Sequence, residues 1–418
     1  MNKDVDKKQA TLIGYTRFKK PAYCPDDVRH CFVCGTTGAG KSVGISNFVK
    51  RAVKNNDMGL LVVDGKGDVG SGSLFDFVSE CCKHYKRPLY VINMNTPELS
   101  AKYNPLRNAS GTVAKDLLVN LTNWSEEHYK VNCERYIQRL VQSMCAGERK
   151  LSFNAIVKNM PAEKFEALSK SLQKDGKISK EQHIDNLELI ATSGKIAEQA
   201  AARFSTIAES DVGVLLDDEN GIDIYTALQS GAVIMFILNP LLYPETASAL
   251  GRLMLVDAKQ AVHKMYERNV NRRTFFVLDE IATYAGNNTA LIDLINKSRS
   301  AGVTCIAATQ SMSDLEAAAG EAFKNQILEN TNTYLLMRQN SPKSAEEVAK
   351  ICGTQEGVNM TYQIGEEGSP TGLGTAKFER SFILHPDEVK AFKTGEAMFL
   401  CRDNGKGERI KVVKPTPN

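Results

Sequence analysis

The residues Gly35, Thr36, Thr37, Gly38, Ala39, Gly40, Lys41 and Ser42 follow directly on the apolar run Cys31-Phe32-Val33-Cys34. They lead into a segment where Ile45, Phe48, Val49, Ala52 and Val53 recur at helical spacing. The glycines let backbone wrap closely around an anion, with successive N–H groups and the positive end of the next helix turned towards it. A strand, such a turn and a helix belong at the carboxyl edge of a helix-covered sheet, so this octapeptide restricts the architecture more than any bulk property.

Further short apolar runs read as strands covered on both faces: "GLLVVD" (59–64), "PLYVIN" (88–93), "GAVIMFIL" (231–238), "TFFVLD" (274–279), "GVTCIAATQ" (302–310) and "TNTYLLMR" (331–338). Helical spacing fills the gaps, with a long amphipathic helix over 245–269. The expected fold class is α/β, a mostly parallel sheet with flanking helices. Between Asn104 and about Gly231 the strand rhythm stops. Tyr129, Cys133, Tyr136, Ile137, Leu140, Val141 and Met144 make one stripe there, and further helical segments follow. So long a stretch exceeds a loop connection. The predicted division is a nucleotide-binding domain in two parts, 1–107 and 229–418, around an all-helical inserted domain, 108–228. The alternative is one crossover layer of helices packed on the sheet. Towards the end, 363–381 reads as a Gly-rich hairpin, "EAMFLC" (396–401) as a last strand and "KVVKPTPN" as a frayed tail.

Bulk properties exclude little. The 418 residues are 42% apolar and 24% charged, as in an ordinary globular protein, and the net charge of +3 neither requires nor forbids a nucleic-acid partner. The ten cysteines are scattered, and the charged N-terminus has no signal-peptide core, which points to reduced thiols in the cytosol. Cys31 and Cys34 form a lone CxxC on a strand, where alternation sends the two sulfurs to opposite faces and disfavours a metal site. Apolar runs such as "AVIMFIL" fall far short of the ~20 residues a membrane span needs, so no direct span is expected.

The octapeptide matches GxxxxGKS in full. Lys41 would neutralise the β and γ phosphate oxygens of ATP, and the Ser42 hydroxyl would ligate Mg2+. In "RRTFFVLDEIA", Asp279 and Glu280 end an apolar strand; Asp279 would hold the metal shell and Glu280 would orient and partly deprotonate the attacking water. This adjacent pair favours hydrolysis over transfer to a bound acceptor. Gln310 ends the next strand, placed to sense the γ-phosphate, or else it caps the following turn. Arg299 stands at the end of the helix "ALIDLINKSR", where it would stabilise transition-state charge or complement that helix's C-terminus.

The segments "GTTGAGKS", "VVDGKGD" (62–68), "YNPL" (103–106), "VLDEIA" (277–282) and "AATQS" (307–311) occur in an order similar to the type IV coupling proteins. That is the TraG/TraD family of conjugative and type IV secretion ATPases, related to the FtsK and HerA motors. "ILENTNTYLLMR" and "HPDEVKAFKTGEAMFL" resemble its C-terminal core. The resemblance implies a RecA-like ATPase acting as a ring, usually a hexamer, with a helical insert meeting a relaxase–DNA complex, accessory proteins or a protein substrate. It implies type IV secretion channel components as further partners, Arg299 as a trans-acting arginine and Gln310 as the motif-three glutamine. Members generally begin with a membrane anchor, and these residues contain none. The expectation is a cytoplasmic chain, recruited to the inner face of the membrane by partners or lacking its anchor. Three functions are compatible with these residues: a DNA-moving coupling ATPase, a nucleotide-gated docking receptor without translocase activity, and a soluble HerA- or FtsK-like translocase. Lys66 and Lys377 are candidate pore elements. Trp124, Tyr129 and Tyr136 could stack on bases, although their helical spacing favours a core.

Overall fold

Six of the seven near-continuous apolar runs become inner strands of a sheet. The seventh, "PLYVIN", expected to be covered on both faces, is instead the edge strand Leu89–Asn93, with Tyr90 exposed because no strand pairs beyond it among the described residues. In the computed structural model, which describes residues 6–27, 30–121, 124, 126–270, 272–286, 289–364, 370–405 and 407–418, the strands are β1 (Ala10–Thr16), β2 (Pro21–Pro25), β3 (Cys31–Cys34), β4 (Gly59–Asp64), β5 (Leu89–Asn93), β6 (Val233–Ile237), β7 (Thr274–Asp279), β8 (Val303–Thr309), β9 (Thr333–Met337), β10 (Thr354–Ile364), β11 (Pro370–Phe382), β12 (Glu396–Cys401) and β13 (Glu408–Val412). Among the described residues they form one eleven-stranded sheet, ordered β2-β1-β13-β12-β9-β3-β8-β7-β4-β6-β5, and a separate β10-β11 hairpin. From β9 to β5 all neighbours are parallel. From β9 outwards the pairing is antiparallel.

Strands β3, β4, β6, β7, β8 and β9 are buried along their whole length, and alternation decides which core each apolar residue joins. Phe32, Cys34, Leu61 and Val63 enter one cluster, and Cys31, Val33, Leu60 and Val62 the other. The two CxxC sulfurs therefore do point apart. Helices α1 (Lys41–Lys54) and α2 (Leu74–His84) cover the second face. Phe48 of α1 meets Phe275 of β7 edge-on at 5.9 Å. Each such buried aromatic or branched side chain contributes about 1.5–3 kcal/mol.

The opposite face carries α3 (Gly111–Val119), α4 (Glu127–Ala146), α5 (Phe153–Asn159), α6 (Ala162–Lys174), α7 (Lys180–Ala208), α8 (Ile224–Gln229) and α9 (Pro244–Glu267). Residues 108–228 contain no strand among those described. Their apolar side chains share one continuous cluster with the sheet: Tyr136, Phe165 and Phe204 belong with Phe236, Phe276 and Leu278. The stripe on α4 is buried from Cys133 to Met144, but Tyr129, in the first turn, is exposed. Trp124 is half-buried and donates from its indole N–H to the Val119 carbonyl at 2.8 Å.

One expectation about the chain's end is corrected: Lys411 and Val412 of the expected frayed tail lie in β13, between β1 and β12, and the N-terminal segment supplies β1 and β2 beside them. Gly14 is required there, since a Cβ would stand 2.3 Å from the Lys411 carbonyl oxygen. The hairpin expected over 363–381 begins earlier, at Thr354, and its tip, 365–369, lies outside the described residues.

The "YNPL" residues tie the helical segment at its base. The Asn104 amide donates to the carbonyls of Leu151 at 2.8 Å and Glu219 at 3.3 Å, and its backbone N–H donates to Ile222 at 2.7 Å. Entry and exit of the segment are thereby joined. The Tyr103 hydroxyl donates to Asp257 of α9 at 2.9 Å, and the Ile224 N–H donates to the same oxygen at 3.1 Å. Burial, reinforced by Asp223, pushes the Asp257 carboxyl up to about 7, against these two hydrogen bonds. An unfolded aspartate titrates near ~4, so the fold retains a proton that the unfolded chain releases, and stability falls as pH rises from ~4 to ~7. Asp257→Asn keeps an acceptor and removes the charge. Relative to wild type it should be more stable at pH 8 than at pH 5 by ~1–3 kcal/mol, read from thermal unfolding at both pH values.

Candidate active site

Parallel register brings the loops after β3, β8, β7 and β4 to one edge. Cys34 pairs with Thr309, Leu278 with Ala307, and Asp64 with Asp279. The segment 35–40 turns from β3 into α1 with Gly38 at φ 74° and Gly40 at φ 109°, conformations that side chains with a Cβ rarely adopt. The last strands of the chain buttress this turn. The Gly395 N–H donates to the Ala39 carbonyl at 2.9 Å, and the Thr394 hydroxyl donates to the Gly38 carbonyl at 3.1 Å. Thr36 N–H donates to the Arg338 carbonyl at 2.9 Å. Gly35 lies so close to Met337 that a Cβ would approach its side chain to 2.7 Å. Thr37 and Gly38 are exposed, open to a ligand.

Lys41 is buried and donates to the Gly35 carbonyl oxygen. Burial and then the charge of Lys66 lower its pKa, while Glu280 and Asp279 oppose the shift. Ser42 is half-buried in the first turn of α1. Gln310 connects the loops. Its side-chain oxygen accepts from the Thr37 hydroxyl at 3.0 Å, and its amide donates to Glu280 at 3.0 Å. Its backbone carbonyl accepts from Gln339 at 3.2 Å, which holds the strand end in place.

Asp279 is 1% exposed, and one of its oxygens accepts the Glu280 N–H at 3.0 Å. Glu280 has φ 51°, a left-handed conformation that costs ~1–3 kcal/mol outside glycine and is met most often at working sites. Burial raises the Glu280 pKa, partly offset by the hydrogen bond from Gln310. A carboxylate so placed can accept a proton from water more readily than an exposed one.

Lys66, on its Gly-rich loop, turns towards the carboxylates. Its ammonium donates to Asp279 at 2.8 Å and stands 4.0 Å from Glu280, inside the site. Burial alone would lower its pKa, but Asp279, Glu280 and Asp64 together raise it. Asp64, also buried, is pushed up to about 6, mainly by burial and despite accepting the Lys66 N–H at 2.8 Å. The signal for this group was present in "DGKGD": a carboxylate ends a strand that lies next to the strand ending in Asp279. Only the strand order reveals the adjacency. Lys377 is exposed on β11, away from this cluster.

The donor set suits a hard divalent cation. A hydroxyl at Ser42 and a carboxylate at Asp279 match Mg2+, which takes one or two carboxylates and completes its shell with phosphate oxygens and water. Among the described residues no group of three or more His, Cys, Asp or Glu forms a self-sufficient metal cage.

Arg299 lies at the other edge. It is exposed in the short turn Ser298–Ala301, before the start of β8, whereas Gln310 follows the end of β8. A seven-residue strand separates them, about 20 Å of backbone. Burial brings the neighbouring His30 down to about 4, and the charge of Arg299 adds to that shift.

A family model described as the TraM recognition site of TraD and TraG matches residues 273–394, and one described as the central domain of the helicase HerA matches 26–201. An uncharacterized protein of Mycoplasma pneumoniae is 32% identical over 107 residues, 26% of this chain and 69% of that protein. The bacterial conjugative coupling protein TrwBdeltaN70 in its unbound form superposes with a TM-score of 0.70 at 15% identity, over 100% of this chain and 90% of that one. TrwB in complex with ADP and Mg2+ gives 0.61 at 13% identity, over 97% and 94%. VirB4 of Thermoanaerobacter pseudethanolicus gives 0.62 at 14% identity, over 99% of each chain. The fold is thus the RecA-like P-loop fold of these structures.

Gly40→Ala should destabilise the chain by ~1–3 kcal/mol, since alanine is strained at φ 109° and its methyl would press on the Gly395 backbone at 3.2 Å. Thermal unfolding of nucleotide-free protein measures this without reference to activity.

Proposed function

We propose, for a chain that belongs with the type IV coupling proteins and the HerA- and FtsK-like ATPases, that it hydrolyses ATP as a ring motor which hands a relaxase–DNA complex or a protein substrate to a type IV secretion or conjugation channel. The observation that carries this reading is the division of the site. Lys41, Asp279, Glu280 and Gln310 converge at the carboxyl edge of the sheet, and Arg299 is exposed at the opposite edge. An arginine about 20 Å of strand away from its own chain's site is placed to act on a nucleotide only in a neighbour's. A ring of identical subunits, a hexamer in this reading, meets that need with one repeated interface.

Within each site the residues divide the work. Lys41 and the N–H groups of 35–42 bind the β and γ phosphates. Mg2+, when bound through Ser42 and Asp279, screens the phosphate charge. Glu280, held by the Gln310 amide at 3.0 Å, orients the attacking water and takes up its proton. Gln310 also accepts the Thr37 hydroxyl, so a change at the γ-phosphate reaches the phosphate loop and the water-orienting carboxylate together. Arg299 of the neighbouring subunit supplies positive charge to the transition state, a contribution worth about 10³–10⁵ in rate in comparable enzymes. The helical segment 108–228, taken as the cargo-facing unit, is joined to the sheet through Asn104, Tyr103 and a shared core. Among the described residues no helix is long and apolar enough to cross a membrane.

Lys41→Ala and Glu280→Gln should abolish hydrolysis, and Arg299→Ala should abolish it with nucleotide binding intact. Mixing Arg299→Ala with Glu280→Gln subunits should restore up to about a quarter of wild-type turnover, the share of boundaries that pair two intact groups in a random ring. No recovery in assembled mixed rings counts against the arginine acting between subunits.

Hydrolysis should also rise when DNA is added at low salt, and the stimulation should fall steeply as salt increases. Equal rates with and without DNA would favour the docking-receptor reading.

A further inference from the structure

We propose that Lys66 is a built-in cation of the carboxylate pair, one that a divalent metal must displace from Asp279 before the site can work. The inference rests on Asp279 as the metal-holding carboxylate.

The loop is shaped to deliver this side chain. At Gly65 a Cβ would lie 2.9 Å from the carbonyl oxygens of Asp279 and Glu280. At Gly67, which has φ 77°, it would lie 2.5 Å from the Leu238 carbonyl oxygen. The Asp64 carboxylate accepts the Lys66 N–H, the Gly65 carbonyl accepts the Thr283 hydroxyl at 3.2 Å, and the Gly67 carbonyl accepts the Asn95 amide at 3.2 Å. Backbone on both sides of Lys66 is therefore clamped to the ends of neighbouring strands. Its side chain is the part free to move.

The chemistry of the contact is that of competition. One Asp279 oxygen is engaged by the Glu280 N–H at 3.0 Å and the other by the Lys66 ammonium at 2.8 Å. A divalent ion with its tight shell, direct or through water, needs the oxygen that Lys66 holds. Two ammonium groups then face a third cation beside the same carboxylates. Lys41 is 5% exposed and bonded to the Gly35 carbonyl oxygen, whereas the Lys66 side chain is 33% exposed. Lys66 is the one that can yield towards solvent. Asp64, Asp279 and Glu280 would repel one another without a cation among them, so Lys66 also keeps the carboxylates assembled between turnovers. Lys66 is thus a positioning residue that sets how tightly the site takes its metal.

Titration of the nucleotide-free protein with MnCl2, followed by the electron paramagnetic resonance of free Mn2+, tests this directly. Lys66→Met should bind Mn2+ at least about tenfold more tightly than wild type, because a unit positive charge within ~4 Å of the ion is removed. Lys66→Gln, a polar replacement should the methionine variant fold poorly, should show the same gain, and Lys66→Arg should stay at the wild-type affinity. Adding Asp279→Asn to either neutral variant should abolish the gained site. Folded neutral variants that bind Mn2+ no more tightly than wild type overturn the proposal. Mg2+-dependent ADP binding by Asp279→Asn alone separates the two levels. If that binding is unaffected, the metal role of Asp279 falls and this inference with it; if it is lost while the neutral variants gain nothing, only the role of Lys66 falls.

Discussion

The parallel register of β3, β8, β7 and β4 is the constraint on which everything else in the molecule depends. Cys34 against Thr309 and Asp64 against Asp279 place the residues that follow each strand at a common height. From that alignment comes the chain of contacts from Thr37 through Gln310 to Glu280, and from Glu280 and Asp279 to Lys66. A slip of one residue in any of these strands would turn its buried side chains to the other face and its terminal carboxylate or amide away from its partner. The double burial of the inner strands makes such a slip costly, since every residue from Thr274 to Asp279 lies in a core. Register precision at the site is thus a by-product of hydrophobic packing on two faces.

The same alignment explains why the two edges of the sheet differ. At the carboxyl edge, backbone carbonyls, carboxylates and ammonium groups pack closely, and burial shifts Glu280 and Asp64 towards protonation. At the amino edge, His30 is held by hydrogen bonding, its ring nitrogen accepting the Cys305 N–H at 3.0 Å, and burial keeps it neutral. Arg299 is exposed beside it, with the length of β8 between it and Gln310. The strand is both the scaffold for the glutamine and the spacer that carries the arginine out of reach of its own site.

The helical layer is linked to this scaffold by polar contacts at its base and by apolar packing along its length. Asn104 closes the segment where it leaves and rejoins the sheet, and Tyr103 and Ile224 share one oxygen of Asp257. Tyr136 and Phe165, stacked edge-on at 5.3 Å inside the layer, belong to the same cluster as the strand residue Phe276.

Much of this was legible before any coordinates. The turn 35–42, the strand ends at Asp279 and Gln310, and the stripe on α1 follow from chemistry local to the chain: glycine at positive φ, apolar continuity for a strand buried on both faces, 3.6-residue spacing for a helix. What stayed hidden was set by partners distant in sequence. Nothing near Gly14 says that its backbone must admit Lys411, almost the whole chain away, so neither the first strands nor the last could be read from their own residues. Tyr129 has the spacing of a core residue and is nonetheless exposed in the first turn of its helix. Lys66 shows the difference most clearly. By composition "DGKGD" is a polar, Gly-rich loop, and its lysine could face solvent or a pore. The order of strands in the sheet put β4 beside β7 and so gave that ammonium a carboxylate 2.8 Å away. By itself the sequence determined where a phosphate-binding turn and its acidic strand end lie, because those signals reside in contiguous residues. Only the tertiary structure decided which charges meet, because that depends on which strands become neighbours.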